Sequence, residues 1–308
     1  MKIIFSAFFF LFVISQCFQC FAFADEIKKK VDELFIKASS GMVMHRDEVE
    51  PAKKDLIEMG EEAVPYLVEK LDTQDAREIH TLVDILSEIG EPCVLPLVES
   101  LKSEDKFRLR ATARILGKIK DRRAVSPLAF LLNHNNHSVR GGACSALGKI
   151  GDTTITEEVI EMLNDSVETV RKSASVALGE LKDLRGVSPL VSALKDPHYS
   201  VRMTACLSLS KMGEPVIDTL ISLLDNKVDF VRNLCIEALG KIKNQRCVDP
   251  LINKLNHPDW TTRAFAVEAL GEIEDPKGIV AVVRLSEKET HPFVLNRIEY
   301  MLNRLNKK

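Results

Sequence analysis

The stretch Val139-Arg140-Gly141-Gly142-Ala143-Cys144-Ser145-Ala146-Leu147-Gly148-Lys149-Ile150-Gly151-Asp152 decides the fold, because it returns along the chain at an almost fixed interval. Reduced to V-R-x-x-A-x-x-A-L-G, it recurs as Val170-Arg171…Ala174…Ala177-Leu178-Gly179 and as Val201-Arg202…Ala205. Two further copies read Val231-Arg232…Ala238-Leu239-Gly240 and Arg263…Ala266…Ala269-Leu270-Gly271. From Arg140 through Arg171, Arg202 and Arg232 to Arg263, the step is constant to within one position. A fixed period of this size marks a solenoid, in which each unit buries its apolar face only against its neighbours.

Inside one copy, Val139, Ala143, Ala146, Leu147 and Ile150 are spaced to share one face of an α-helix, with no competing alternation of period two. A shorter second helix follows, clearest in Val187, Pro189, Leu190, Val191 and Leu194. Its proline recurs as Pro65, Pro96, Pro127, Pro189 and Pro250, which a first helical turn tolerates because the missing N–H has no intrahelical partner there. Asp152 stands where its carboxylate can accept the free N–H groups of that second helix, as do Asp121, Asp183 and Asp275, with Glu214 and Asn244 as substitutes. Degenerate copies extend the array upstream at Leu56-Ile57-Glu58-Met59-Gly60, Ile85-Leu86-Ser87-Glu88-Ile89-Gly90 and Ile115-Leu116-Gly117-Lys118-Ile119. Downstream, Tyr300-Met301-Leu302-Asn303-Arg304-Leu305 ends the array before the polar Asn306-Lys307-Lys308. The spacing predicts an all-α chain of about eight helical hairpins over 45–308, led by a capping helix within 25–44.

These motifs resemble HEAT repeats of the short, phycobiliprotein-lyase-like variety, over nearly all of the chain beyond Ala24. The resemblance implies a right-handed α-solenoid of the armadillo type, with the longer helices on its concave, partner-binding side. Tetratricopeptide and ankyrin frameworks are missing. Relatives of this repeat type include deoxyhypusine hydroxylases, whose di-iron site is built from His-Glu dipeptides, and bilin lyases. No His-Glu dipeptide occurs here, and the seven histidines are scattered, with only His134 and His137 sharing a loop. Neither G-x-S-x-G, H-E-x-x-H nor a P-loop is present. The expectation is therefore a binding protein with no catalytic residues, metal or cofactor. The alternative is a metal-dependent enzyme related to the hydroxylase-like or bilin-lyase-like HEAT proteins.

The segment 1–24 differs from the rest. Lys2 precedes an apolar run from Ile3 to Ile14, and Ala22-Phe23-Ala24 offers a small-residue cleavage site before Asp25. Such an order reads as a secretory signal peptide, cut after Ala24, so that the protein is secreted or periplasmic. Left uncleaved, the segment would tether the chain to a membrane. Its removal takes one Lys from the 42 basic residues and leaves 41 against 45 acidic ones, a net charge of −4 that argues against nucleic-acid binding. Five cysteines then remain (Cys93, Cys144, Cys206, Cys235 and Cys247), an odd number that cannot complete a disulfide framework.

Counting the motif arginine, or its equivalent, as zero, positions +1, +5 and +8 lie opposite the apolar face. Position +5 reads Arg114, Ser145, Val176, Leu207, Glu237 and Glu268; position +1 includes Arg110, Lys172 and Met203. The predicted partner surface comprises these residues and Lys118, passing from basic through apolar to acidic. Arg110, Arg114 and Lys118, at i, i+4 and i+8, form one stripe. It is either a solvated charged face or a grip for an acidic peptide, each guanidinium offering paired hydrogen bonds. The motif arginines, with Asp165 and Asp196 in the loops, read as a structural Asp–Arg ladder between repeats. Trp260, the single tryptophan, reads as packing on a neighbouring loop, with the anchoring of a partner as the alternative.

Overall fold

A computed structural model of the chain describes residues 23–41 and 47–306. Most of the expected signal segment, the boundary at 44/45 and the terminal Lys307-Lys308 lie outside the described residues. Every regular element among the described residues is helical, and none of these helices is long and apolar enough to cross a membrane.

The chain divides into two compact units at Leu131/Leu132. Unit 1 opens with helix α1 (23–38), which buries Val31, Phe35 and Ala38 and is tied down by Lys70 donating to Asp32 at 2.5 Å. It continues with α2 (Val49–Glu58), α3 (Val64–Glu69), α4 (Ala76–Ile89), α5 (Val94–Ser100), α6 (Lys106–Ile119) and α7 (Val125–Phe130). Unit 2 holds α8 (His137–Ile150), α9 (Thr156–Glu161), α10 (Glu168–Leu181), α11 (Val187–Ala193), α12 (Tyr199–Met212), α13 (Ile217–Ser222), α14 (Asp229–Ile242), α15 (Val248–Lys254), α16 (Trp260–Ile273), α17 (Pro276–Ser286) and α18 (Pro292–Asn306). Long and short helices alternate, and the V-R motif falls on the long ones, as its spacing predicts.

In unit 2 the long helices α8, α10, α12, α14, α16 and α18 pack in succession; in unit 1, α2, α4 and α6 do so. The motif glycine explains how closely. A Cβ on Gly148 would lie 2.6 Å from the Cα of Ala177, and one on Gly240 would lie 2.7 Å from the Cα of Ala269. Helix backbones meet there, so only glycine against alanine fits.

Each long helix from α2 to α16 is closed by a left-handed residue or a positive-φ glycine, and after every one of them but α16 a single 3-10 turn leads into the short helix. The expected caps serve that 3-10 turn. Asp121, Asp152, Asp183 and Asn244 each accept the N–H two residues on. Asp275 caps α17 directly. Glu214 does not cap: the cap position is Gly213, whose positive φ lets the backbone turn without a side-chain acceptor. The recurrent prolines sit in the first turn of α3, α5, α7, α11 and α15.

Candidate functional site

The motif arginines come first, because they fix the turns that present everything else. Each donates from Nη1 to the carbonyl six residues earlier: Arg140 to His134, Arg171 to Asp165, Arg202 to Asp196, Arg232 to Asn226 and Arg263 to His257, at 2.8–2.9 Å. The outer edge of the guanidinium then reaches the next repeat. Arg140 holds Asp165 through Nε (2.6 Å) and Nη2 (2.9 Å), Arg171 holds Asp196 (2.6 and 3.1 Å) and Arg263 holds Glu289 (2.7 and 2.9 Å). Hydrogen bonding from Arg263 brings the Glu289 carboxyl down to about 2, and Arg140 keeps Asp165 below the usual carboxylate range.

The Asp–Arg ladder is thus real but incomplete. Arg232 turns to Thr262 (2.9 Å), Asp229 (2.9 Å) and Asp259 (3.4 Å), because His257 occupies the carboxylate position. In the turn that would serve Arg202 the equivalent position holds Asn226, and Arg202 has no carboxylate partner among the described residues. The side chains of His134, Asp165, Asp196, Asn226, His257 and Glu289 all do one further thing: each accepts the N–H two residues on. His134 and His257 are therefore turn acceptors. No group of three or more His, Cys, Asp or Glu side chains among the described residues could hold a metal ion.

The outward face of the long helices departs from the expected +1, +5, +8 stripe. Gly148, Gly179, Gly240 and Gly271, at +8, are buried at the helix contacts, and Asn233 and Ala264, at +1, are buried too. A long helix is covered on both flanks by its long neighbours and below by a short helix, so the free arc centres on +5 and +9 and takes in +1 only in some repeats, as at Arg110 and Lys172.

In unit 1, Arg110, Arg114 and Lys118 are all exposed along α6. Lys118 donates to Asp84 of α4 at 3.1 Å, whereas Arg110 and Arg114 make no ion pair among the described residues. In unit 2, Lys172 is exposed, Ser145 and Val176 are half-buried, and Leu207 is exposed. Met203, Glu237 and Glu268 come together in a cleft of about 420 Å³, joined by Tyr199, Phe265, Glu272, Tyr300 and Arg304. The cleft is not acidic in the way the +5 row implies. Glu237 pairs with Lys241 (3.5 Å), Glu268 with Arg297 (3.0 Å), and Glu272 with both Arg304 (2.7 Å) and Lys243 (3.2 Å). Sequence reasoning missed these cations because Lys241 stands at +9, Lys243 is the left-handed residue that ends α14, and Arg297 and Arg304 are on α18, which carries no V-R motif.

Trp260 is the first residue of α16. Its ring stacks on His291 at 4.2 Å and meets Phe293 edge-on at 5.2 Å, the packing role expected of it.

Paired helices, a common repeat register and no shared pocket chemistry define a helical-repeat protein. The chain belongs to the HEAT-repeat family, whose model matches residues 94–176, 156–240 and 217–303. Among solved structures it is similar to importin beta, at 15% identity over 92% of this chain and 47% of that chain, with a TM-score of 0.57. It is also similar to YibA of Escherichia coli, at 20% identity over 81% and 96%, with a TM-score of 0.50. The CpcE–CpcF complex of phycocyanin lyase from Nostoc aligns at 20% identity over 72% and 93%, with a TM-score of 0.41. Identities this low speak to the fold alone. No curated protein matches the sequence.

Proposed function

We propose that this chain is an exported HEAT-repeat protein that binds a protein or peptide along the outward face of its long helices, without catalysis. The observation that carries this reading is the contrast in charge pairing. The carboxylates of the unit 2 cleft are matched internally, while Arg110 and Arg114 stand exposed, one helical turn apart, with no ion pair among the described residues. Two guanidinium forks on one stripe suit an acidic segment of a partner, because each can take a carboxylate through two parallel bonds. The excess of acidic over basic residues beyond Ala24 disfavours nucleic acid as that partner. Membrane attachment belongs to this reading only if the first segment stays in place.

Removal of that segment after Ala24 is compatible with the fold of unit 1. It takes only 23 and 24 from α1 and leaves Val31, Phe35 and Ala38 buried, at the cost of one exposed bond from Tyr66 to the Ala24 carbonyl. The test is capture from the periplasm with the purified chain as bait, followed by binding of the identified partner. Arg110→Glu with Arg114→Glu should weaken that binding at least tenfold while helicity stays unchanged; unchanged binding removes α6 from the interface. The same preparation, sequenced from its N-terminus, should begin at Asp25, and a start at Met1 would replace export by a tether.

A further inference from the structure

Arg202 is a rung of the ladder with its other half missing. Asn226 takes the place that Asp165 and Asp196 hold in their own repeats, and it makes the same turn, accepting Val228 N–H at 3.0 Å as they accept theirs at 2.8 Å. The backbone geometry for a carboxylate partner is therefore in place, and only the charge is absent. Meanwhile Nη1 of Arg202 is fixed to the carbonyls of Asp196 (2.9 Å) and Pro197 (3.0 Å), so the guanidinium is held in the orientation its siblings use. Its Nε and Nη2 edge has no hydrogen-bond partner among the described residues.

Two exposed aromatic rings flank this guanidinium. The ring of Tyr199 lies 5.6 Å from the guanidinium and the ring of Phe230 lies 4.8 Å from it, and these residues are 65% and 43% exposed. Nearby acids are already engaged: Asp196 by Arg171, Asp229 by Arg232 and Asp225 by Lys254. Lys227, in the same turn, adds positive charge. Tyr199 also lines the cleft of unit 2.

The geometry points to Arg202 as the receptor for a carboxylate that a partner supplies: an Asp or Glu side chain set between apolar residues in a protein or peptide. This rests on the binding reading above and gives that partner's chemistry at a second place, in unit 2. The incoming carboxylate would complete the rung in trans, making the two bonds that Arg171 makes to Asp196. Charge-assisted pairs of this kind are strong when the cation is already oriented and partly shielded from water. The flanking rings supply that shield and the contact area for the apolar residues on either side.

The probe is an acetylated, amidated, dye-labelled peptide Pro-Leu-Glu-Leu-Pro, compared by fluorescence anisotropy with its Gln counterpart on the full mature chain. The Glu peptide should bind at least tenfold more tightly. Asn226→Asp, which restores the missing carboxylate in cis, should abolish that preference and raise Tm; Arg202→Gln, checked for retained helicity, should abolish it too. Equal binding of the two peptides, or a preference that survives in Asn226→Asp, overturns the proposal. Neither substitution touches Arg110 or Arg114, so partner capture by the α6 stripe reports separately on the broader reading.

Discussion

Glu289 does three jobs with one carboxylate. It takes both bonds of Arg263 and accepts the N–H groups of Thr290 and His291, while its side chain is only 3% exposed. A carboxylate so placed is worth most when ionised, and its pKa falls from the ordinary 4.5 to about 2, chiefly through the Arg263 hydrogen bonds. The sign follows: a depressed folded-state pKa contributes stability above pH 4.5 that drains away as pH falls toward 2. Glu289→Gln should therefore cost about 3 kcal/mol at pH 7, the lower end of the range for breaking a buried pair. The gap between wild type and variant, from urea unfolding at a series of pH values, should close between pH 4.5 and 2. A gap that persists at pH 2 would refute the electrostatic origin. Much of this chemistry was legible in the sequence, since the arginine is part of the motif and Asp165 and Asp196 stand in the loops. Glu289 was not legible, because it stands one position further from Arg263 than Asp165 and Asp196 stand from their own arginines, in a turn whose sequence has drifted.

At the scale of the helix, the repeat spacing located every long helix from α8 to α16, and the prolines located the short ones. The 3-10 turns between them escaped, because a single such turn has no period to read. The outward face differs from the helical-wheel expectation for a related reason: a wheel knows one helix, whereas the free arc depends on two neighbours. Hence Gly148 and Gly240, on the open side of the wheel, lie at the tightest contacts, while Phe265 and Tyr300 line the cleft without any signal in the motif. Gly148→Ala gives the sharpest test. Its methyl group would meet backbone, which cannot rotate aside, so the substitution should destabilise by about 2–3 kcal/mol, the upper range for overpacking. Its neighbour Gly141 provides the control: a Cβ there meets the Ser173 side-chain oxygen at 3.3 Å, so Gly141→Ala should be close to neutral or gain the helix propensity of alanine. Thermal melts in which the two variants behave alike would contradict this account of the contact.

At the scale of the whole molecule, the five cysteines among the described residues report on two units: Cys93 in unit 1, and Cys144, Cys206, Cys235 and Cys247 in unit 2. All five are free and buried, and burial pushes the thiols of Cys93, Cys144 and Cys235 up to about 12. Thiolate is the reactive form, so native protein at pH 8 should resist iodoacetamide at these positions. Labelling, read peptide by peptide, should appear only as denaturant opens each unit; modification of Cys144 or Cys235 without denaturant would show that the core is looser than its packing. The glycine contacts have another consequence. The Gly148–Ala177 and Gly240–Ala269 junctions, three repeats apart, are near-copies of each other, at 2.6 and 2.7 Å. A segment cut at one such junction presents the same glycine–alanine contact as a segment cut at the other. Duplicating or deleting the stretch between them in frame leaves no new kind of seam to be invented. The array can therefore lengthen or shorten by recombination alone, while point changes in the outward residues adapt it to whatever it holds.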